Sequence, residues 1–189
     1  MNYRNRFVAA FQKSLELGLA SKNQALSFEQ VLSKEQVHEV LHLCADYLYE
    51  VGLTQSSDLA KNCIPVHMHL QPLLKDYLAL DSFITIGDKY WKDYVYCEMS
   101  YESIQEELRN PDIGASLKAH IWLTLADGSV LDCTGEAHMD LLLNRGNHPA
   151  HKCLVYHSPD ESIPDGYYRP FLVGSEFLIR TGAFSIVPA

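Results

Sequence analysis

Basic side chains are scarce in this chain relative to acidic ones. Its 189 residues include 15 lysines and arginines against 24 aspartates and glutamates, which gives a formal net charge of −9. This balance opposes a protein that binds nucleic acid mainly through phosphate contacts. Long blocks of like charge, internal repeats and low-complexity segments are also lacking. We therefore predict neither a charged tail nor a repeat architecture.

Long hydrophobic runs and paired cysteine motifs are lacking as well. No segment is apolar enough over enough residues to span a bilayer, and the first residues show no signal-peptide pattern. The five cysteines are odd in number and irregularly spaced, without the CxxC spacing of zinc or redox sites. This usage favours a reducing compartment over a disulfide scaffold. We expect a cytoplasmic protein that does not bind membranes.

The hydrophobic content of the chain is 47%, which is enough for one well-buried core at this length. We predict a single domain over residues 1–189, with an N-terminal helical part over 1–55 and an α+β core over 56–189. Residues 2–19 have the pattern of an amphipathic helix. Ser33 and Gln36 are spaced as a capping box for a second helix that ends near Glu50.

Strand patterns dominate the rest of the chain. We predict strands over 82–86 and 90–99 joined at Gly87-Asp88, helices over 101–109 and 136–143, and a strand over 152–156. The loop over 158–170 is long enough to border a site, and 171–184 is expected to be rich in strand. The fold class is therefore α+β, with N-terminal helices, including a cysteine-bearing helix, packed against an antiparallel β-sheet.

The segment from Lys118 to Thr134 has the pattern of a β-hairpin. Residues 118–125 alternate between an apolar face and a face that carries histidine, tryptophan and threonine. Asp127-Gly128 then marks a turn, and residues 129–134 are rich in apolar and β-branched side chains. A hairpin would bring its two chemically active side chains, a histidine and an aspartate, onto adjacent strands.

The register of this hairpin decides whether those two side chains meet. A two-residue turn would place Asp132 opposite Leu123, on the face away from His120. A three-residue loop with Gly128 in the left-handed conformation would instead pair Trp122 with Asp132. His120 and Asp132 would then share a face as diagonal neighbours. Asp-Gly suits both turns, so the sequence leaves both registers open.

The pattern His120-x-Trp122, followed after a short turn by Asp132-x-Thr134, resembles the transglutaminase-like (papain-like) superfamily of cysteine enzymes. In that superfamily an upstream cysteine lies at the start of a helix, and Cys63 occupies this place in chain order. The resemblance implies that Cys63 is the nucleophile, His120 the general base and Asp132 the acid that orients the imidazole. The implied reaction is acyl transfer through a thioester, to water in a hydrolase or to an amine in a transferase.

The chemistry of a thiol explains this combination of residues. A free thiol has a reference pKa of about 8.5, so a cysteine nucleophile needs a nearby imidazolium or a helix N-terminus to become a thiolate. The resemblance further implies a peptide, protein or small amide or ester as substrate. Neither a metal nor an organic cofactor is expected in this reaction.

The cysteine segment allows two local structures. Pro72 disfavours an uninterrupted helix, which would then kink or begin only near Pro72. Alternatively, residues 63–70 are extended, and His67 and His69 lie on one strand face where they could bind a metal ion. On a helix the two rings would point about 200° apart. A metal-binding protein and a noncatalytic binding protein of the same fold therefore remain alternative functions.

Overall fold

The computed structural model describes residues 2–20, 26, 28, 30–91, 93–113, 116–159, 161 and 166–185. The α-helices are α1 (Tyr3–Glu16), α2 (Lys34–Glu50), α3 (Ser56–Leu59), α4 (Cys63–Leu78), α5 (Tyr101–Arg109), α6 (Gly135–Leu142) and α7 (Glu176–Arg180). The strands are β1 (Ser82–Trp91), β2 (Tyr94–Tyr96), β3 (His120–Leu125), β4 (Val130–Asp132), β5 (Val155–His157) and β6 (Gly166–Val173). Helices and antiparallel strand pairs make this an α+β fold, as predicted.

The described residues form two compact units, each assembled from segments that are distant in sequence. The first unit comprises Met1–Ser27, Ile84–Ile121 and Ser162–Ala189, and the second comprises Phe28–Phe83 and Trp122–Glu161. The boundaries between the units fall inside β1 and inside β3. The single domain over residues 1–189 stays a prediction.

In the first unit, β1 is the central strand and pairs with both β2 and β6. The predicted turn at Gly87-Asp88 is wrong, because β1 runs through both residues. The pairing with β6 shifts register between Ile86 and Gly87, which is a β-bulge rather than a reversal of the chain. Helix α1 packs on β6, and the Ser14 hydroxyl accepts a hydrogen bond of 2.8 Å from the Val173 amide.

Two strand predictions near the end of the chain are also wrong. The segment predicted as a strand over 152–156 begins with a 3₁₀ turn, Ala150–Cys153, and only Val155–His157 form β5. The segment 171–184 contributes three residues to β6 and then forms the short helix α7. Of the predicted loop over 158–170, residues 160 and 162–165 lie outside the described residues, and β6 already begins at Gly166.

In the second unit, the register of the β3–β4 hairpin answers the question that the sequence left open. Leu123 pairs with Leu131, and the Leu125 amide donates to the Ser129 carbonyl at 2.9 Å. Gly128 is left-handed, with φ of 84°. The loop is therefore the three-residue loop 126–128.

Helix α4 is continuous from Cys63 to Leu78, and Pro72 lies exposed within it. The extended alternative for residues 63–70 is therefore wrong, and so is a helix that begins only near Pro72. The capping box predicted for α2 is confirmed, since the Ser33 hydroxyl accepts from the Gln36 amide and the Gln36 side chain accepts from the Ser33 amide. No helix among the described residues is long and apolar enough to cross a bilayer.

Candidate active site

Cys63 is the first residue of α4, at the positive end of the helix dipole. It is 9% exposed, and the first turn of the helix carries no acidic residue. The preceding Asn62 is held in place by its side-chain amide, which donates to the Asp58 carbonyl at 2.7 Å. A thiol at such a helix start lies where a thiolate is stabilised.

Asp132 is the last residue of β4, and its carboxylate is fully buried. Its Oδ1 accepts hydrogen bonds from the Thr134 amide at 3.1 Å and from the Gly135 amide at 2.9 Å. These donors belong to the start of α6, so Asp132 caps this helix. Two amide bonds to a single oxygen fix the plane of the carboxylate.

Gly135 is needed for this carboxylate to fit. A Cβ built on Gly135 would overlap Oδ2 of Asp132. The absence of a side chain at the first position of α6 therefore makes room for the buried acid. Sequence reasoning missed this role, because a glycine at a helix start has no distinctive local signal.

His67 lies one turn after Cys63 on α4 and is fully buried. Its Nδ1 lies 2.8 Å from the Cys63 carbonyl oxygen, and its Nε2 lies 3.0 Å from the Cys133 amide nitrogen. The ring thus joins the turn that carries Cys63 to the turn that carries Asp132. From sequence it was considered only as a metal ligand, although its spacing of four residues from Cys63 already places both on one helix face.

His120 is the first residue of β3 and is fully buried. Its ring packs against Tyr96, with centroids 5.1 Å apart and planes inclined by 56°. Side chains alternate along a strand, so His120 lies on the same face of β3 as Trp122. The nearest pair observed between β3 and β4 is Leu123 with Leu131, and continuing this register by one residue would set Asp132 opposite Trp122.

Three of the other cysteines are poor nucleophiles at neutral pH, because the pKa of each thiol is raised. Contact with the Cys44 thiol, followed by burial, raises the pKa of Cys133 well above its usual value. Burial raises the pKa of Cys97 and that of Cys153 to about 11 each. The thiols of Cys133 and Cys44 interact within the core. All five cysteines are thiols, with no disulfide among the residues that the structure describes.

The alternative metal site at His67 and His69 required both residues to lie on one face of a strand. Both lie on helix α4 instead, so this prediction is wrong. His67 is buried, whereas His69 is exposed and its Nδ1 lies 2.8 Å from the Pro65 carbonyl oxygen. The rings therefore point to different sides of α4. Across the described part of the chain, no group of three or more histidine, cysteine or acidic side chains is placed to hold a metal ion.

No family profile, curated protein or solved structure matches this chain. The function is therefore argued from the geometry of these residues and from the sequence pattern that surrounds them.

Proposed function

We propose that the protein is a transglutaminase-like cysteine enzyme that transfers an acyl group through a thioester. In this proposal Cys63 is the nucleophile, His120 the general base and Asp132 the group that orients the imidazole. The thiolate of Cys63 attacks the carbonyl carbon of an amide or ester, and His120 delivers the thiol proton to the leaving group. Water or an amine then attacks the thioester and releases Cys63.

The observation that carries the proposal is the register of the β3–β4 hairpin. Of the two registers that suit Asp127-Gly128, the hairpin has the one with the three-residue loop. This supports the proposal, because only that register is compatible with a shared strand face for His120 and Asp132. A diagonal pair across antiparallel strands is within reach of a side-chain hydrogen bond. The buried, amide-fixed carboxylate of Asp132 suits the task of holding an imidazole in one orientation.

The placement of Cys63 supports its proposed role as the nucleophile. It combines a helix N-terminus, a small exposed fraction and a first turn without acidic residues. The pKa is raised at Cys97, Cys133 and Cys153, and Cys44 is fully buried, which supports Cys63 as the nucleophile.

The expected substrate is a peptide, a protein or a small amide or ester, with neither nucleic acid nor a membrane as partner. The net charge of −9 supports the first exclusion. No cofactor takes part in the proposed chemistry. Five thiols without a disulfide support a cytoplasmic, reducing location.

Replacing Cys63 with alanine is expected to abolish alkylation of the native protein by iodoacetamide at about pH 7. At a pKa of about 11, only about 10⁻⁴ of the Cys97 or Cys153 thiol is ionised at that pH, so these residues contribute little. Peptide mapping by mass spectrometry identifies the alkylated cysteine, and circular dichroism checks the fold.

The control is Cys97→Ala, which should keep the alkylation of the wild-type protein. Undiminished alkylation of Cys63→Ala would contradict the proposal. An unreactive Cys63 in the wild-type protein would instead indicate a noncatalytic binding protein of the same fold.

A further inference from the structure

We infer that His67 is a positioning residue, which holds the turn of Cys63 against the turn of Asp132 so that the thiol and the carboxylate keep their places. This inference rests on the proposed function. It assigns a role to a buried histidine that the proposed reaction does not use as acid or base.

The hydrogen bonds of His67 determine which of its nitrogens carries the proton. The Cys63 carbonyl oxygen can only accept, so Nδ1 at 2.8 Å must donate. The Cys133 amide can only donate, so Nε2 at 3.0 Å must accept. The ring is therefore neutral, with its proton on Nδ1. Its Nε2 lone pair is occupied and is not available to take the proton of the Cys63 thiol.

This tautomer also defines the relation between His67 and Asp132. Nε2 lies 4.0 Å from Oδ1 of Asp132. Because Nε2 carries no proton, the two groups do not form an ion pair, in spite of their separation. In our inference the neutral His67 ring therefore does not neutralise the negative charge of Asp132.

The two bonds connect backbone atoms rather than side chains. One end is the carbonyl of Cys63 itself, and the other is the amide that directly follows Asp132. Both are buried, where a hydrogen bond is stronger than in water and an unpaired amide is costly. A shift of α4 along its axis would break one of these bonds, so the ring fixes the separation of the two turns.

The test uses two variants of His67, each of which keeps one of its two hydrogen bonds. His67→Gln places an acceptor near the position of Nε2 and retains the bond to the Cys133 amide. His67→Asn places a donor near the position of Nδ1 and retains only the bond within α4 to the Cys63 carbonyl. His69→Asn is the matched control, because His69 makes the same bond within α4 but is exposed.

The readout is the pH profile of Cys63 alkylation by iodoacetamide. A thiol activated by an imidazolium is still a thiolate at about pH 6, where an ordinary thiol is only about 0.3% ionised. A more acidic thiolate is also a weaker nucleophile, which offsets roughly ten-fold of this gain. Loss of activation therefore slows alkylation about 30-fold at about pH 6 and speeds it about ten-fold at about pH 9.5.

His67→Asn is expected to be alkylated more slowly than the wild-type protein at about pH 6 and faster at about pH 9.5, so that the two pH profiles cross. His67→Gln and His69→Asn should keep the wild-type profile. A merely structural role would lower the melting temperature without crossing the profiles. A folded His67→Asn protein with the wild-type profile would overturn the inference and leave the proposed function standing. A wild-type protein without activated alkylation at about pH 6 would instead overturn the proposed function.

A second measurement needs no variant. The ¹⁵N chemical shifts of the His67 ring report which nitrogen is protonated in the native protein. We expect a protonated Nδ1 and a bare Nε2. A proton on Nε2 would break the bond to the Cys133 amide and overturn the inference, even if His67→Asn did not fold.

Discussion

Replacing His120 with glutamine is expected to lower the hydrolysis of p-nitrophenyl acetate by at least about 100-fold, with the fold retained. A positioned general base contributes about 10²–10⁴-fold to such reactions, and glutamine can neither accept the thiol proton nor stabilise the thiolate as a cation. The measurement is the steady-state release of p-nitrophenolate at about pH 7, with background hydrolysis subtracted by means of Cys63→Ala.

The control for this prediction is His138→Gln, which removes a partly buried histidine on α6 that has no part in the proposed reaction. It should keep wild-type turnover. The alkylation profile of His120→Gln should also cross that of the wild-type protein, because its Cys63 then behaves as an ordinary thiol. Equal turnover in His120→Gln and the wild-type protein would remove His120 from the mechanism.

Replacing Asp132 with asparagine is expected to lower turnover strongly while lowering the free energy of unfolding only slightly. In Asp132→Asn the side-chain oxygen can still accept from the amides of Thr134 and Gly135, so the free energy of unfolding should fall by only about 1–2 kcal/mol. The new NH₂ group donates where the carboxylate accepted, which favours the wrong tautomer of His120. Turnover should therefore fall by roughly 1,000-fold or more.

Gly135→Ala tests the same carboxylate without altering it. The added methyl group would overlap Oδ2 of Asp132, so we expect the carboxylate to move and turnover to fall. Alanine is otherwise favourable in a helix, by about 1 kcal/mol relative to glycine. A loss of activity with little loss of stability is thus expected in a variant that leaves all three proposed catalytic residues in place.

Ser100→Ala is the control for the loss of a helix cap alone. The Ser100 hydroxyl accepts from the Ser103 amide at the start of α5, and its removal should cost about 1 kcal/mol of stability without changing turnover. Unfolding by urea and the hydrolysis assay measure the two effects separately. If Asp132→Asn and Gly135→Ala behaved like Ser100→Ala, Asp132 would be a helix cap only.

Local signals predicted some elements of this fold correctly. The capping box of α2 depends on two residues three apart, and α5 follows directly after its cap, so neighbouring residues suffice to define both starts. The start of α4 at Cys63 was harder to predict. Pro72 disfavours a continuous helix locally, and only packing of the buried face of α4 outweighs that cost.

The hairpin register depends on contacts that no local pattern contains. Oδ1 of Asp127 accepts from the Ser129 amide at 2.9 Å, and Oδ2 accepts from the distant Leu32 amide at 3.1 Å. The hydroxyl of Tyr156 also donates to Oδ2, at 3.4 Å. These bonds hold the buried Asp127 in the three-residue loop, whereas Asp-Gly alone suits either turn.

The segment Gly87-Asp88 was misassigned for a similar reason. Asp88 is fully buried in β1 and forms a two-pronged ion pair with Arg169, at 2.9 and 2.6 Å. A glycine followed by an acid ordinarily marks a turn. Here the partner on β6 lies 81 residues away and makes burial of the acid possible. The role of His67 was missed for the same reason, since its Cys133 partner lies 66 residues away.

The most direct test of the central claim is to trap the acyl-enzyme. The protein is mixed with p-nitrophenyl acetate, quenched in acid and digested, and the position of the acetyl group is found by mass spectrometry. The account predicts one acetyl group on the peptide of Cys63, bound as a thioester that neutral hydroxylamine removes, and none in Cys63→Ala. An acetyl group on another residue, or no covalent adduct with a folded protein, would contradict it.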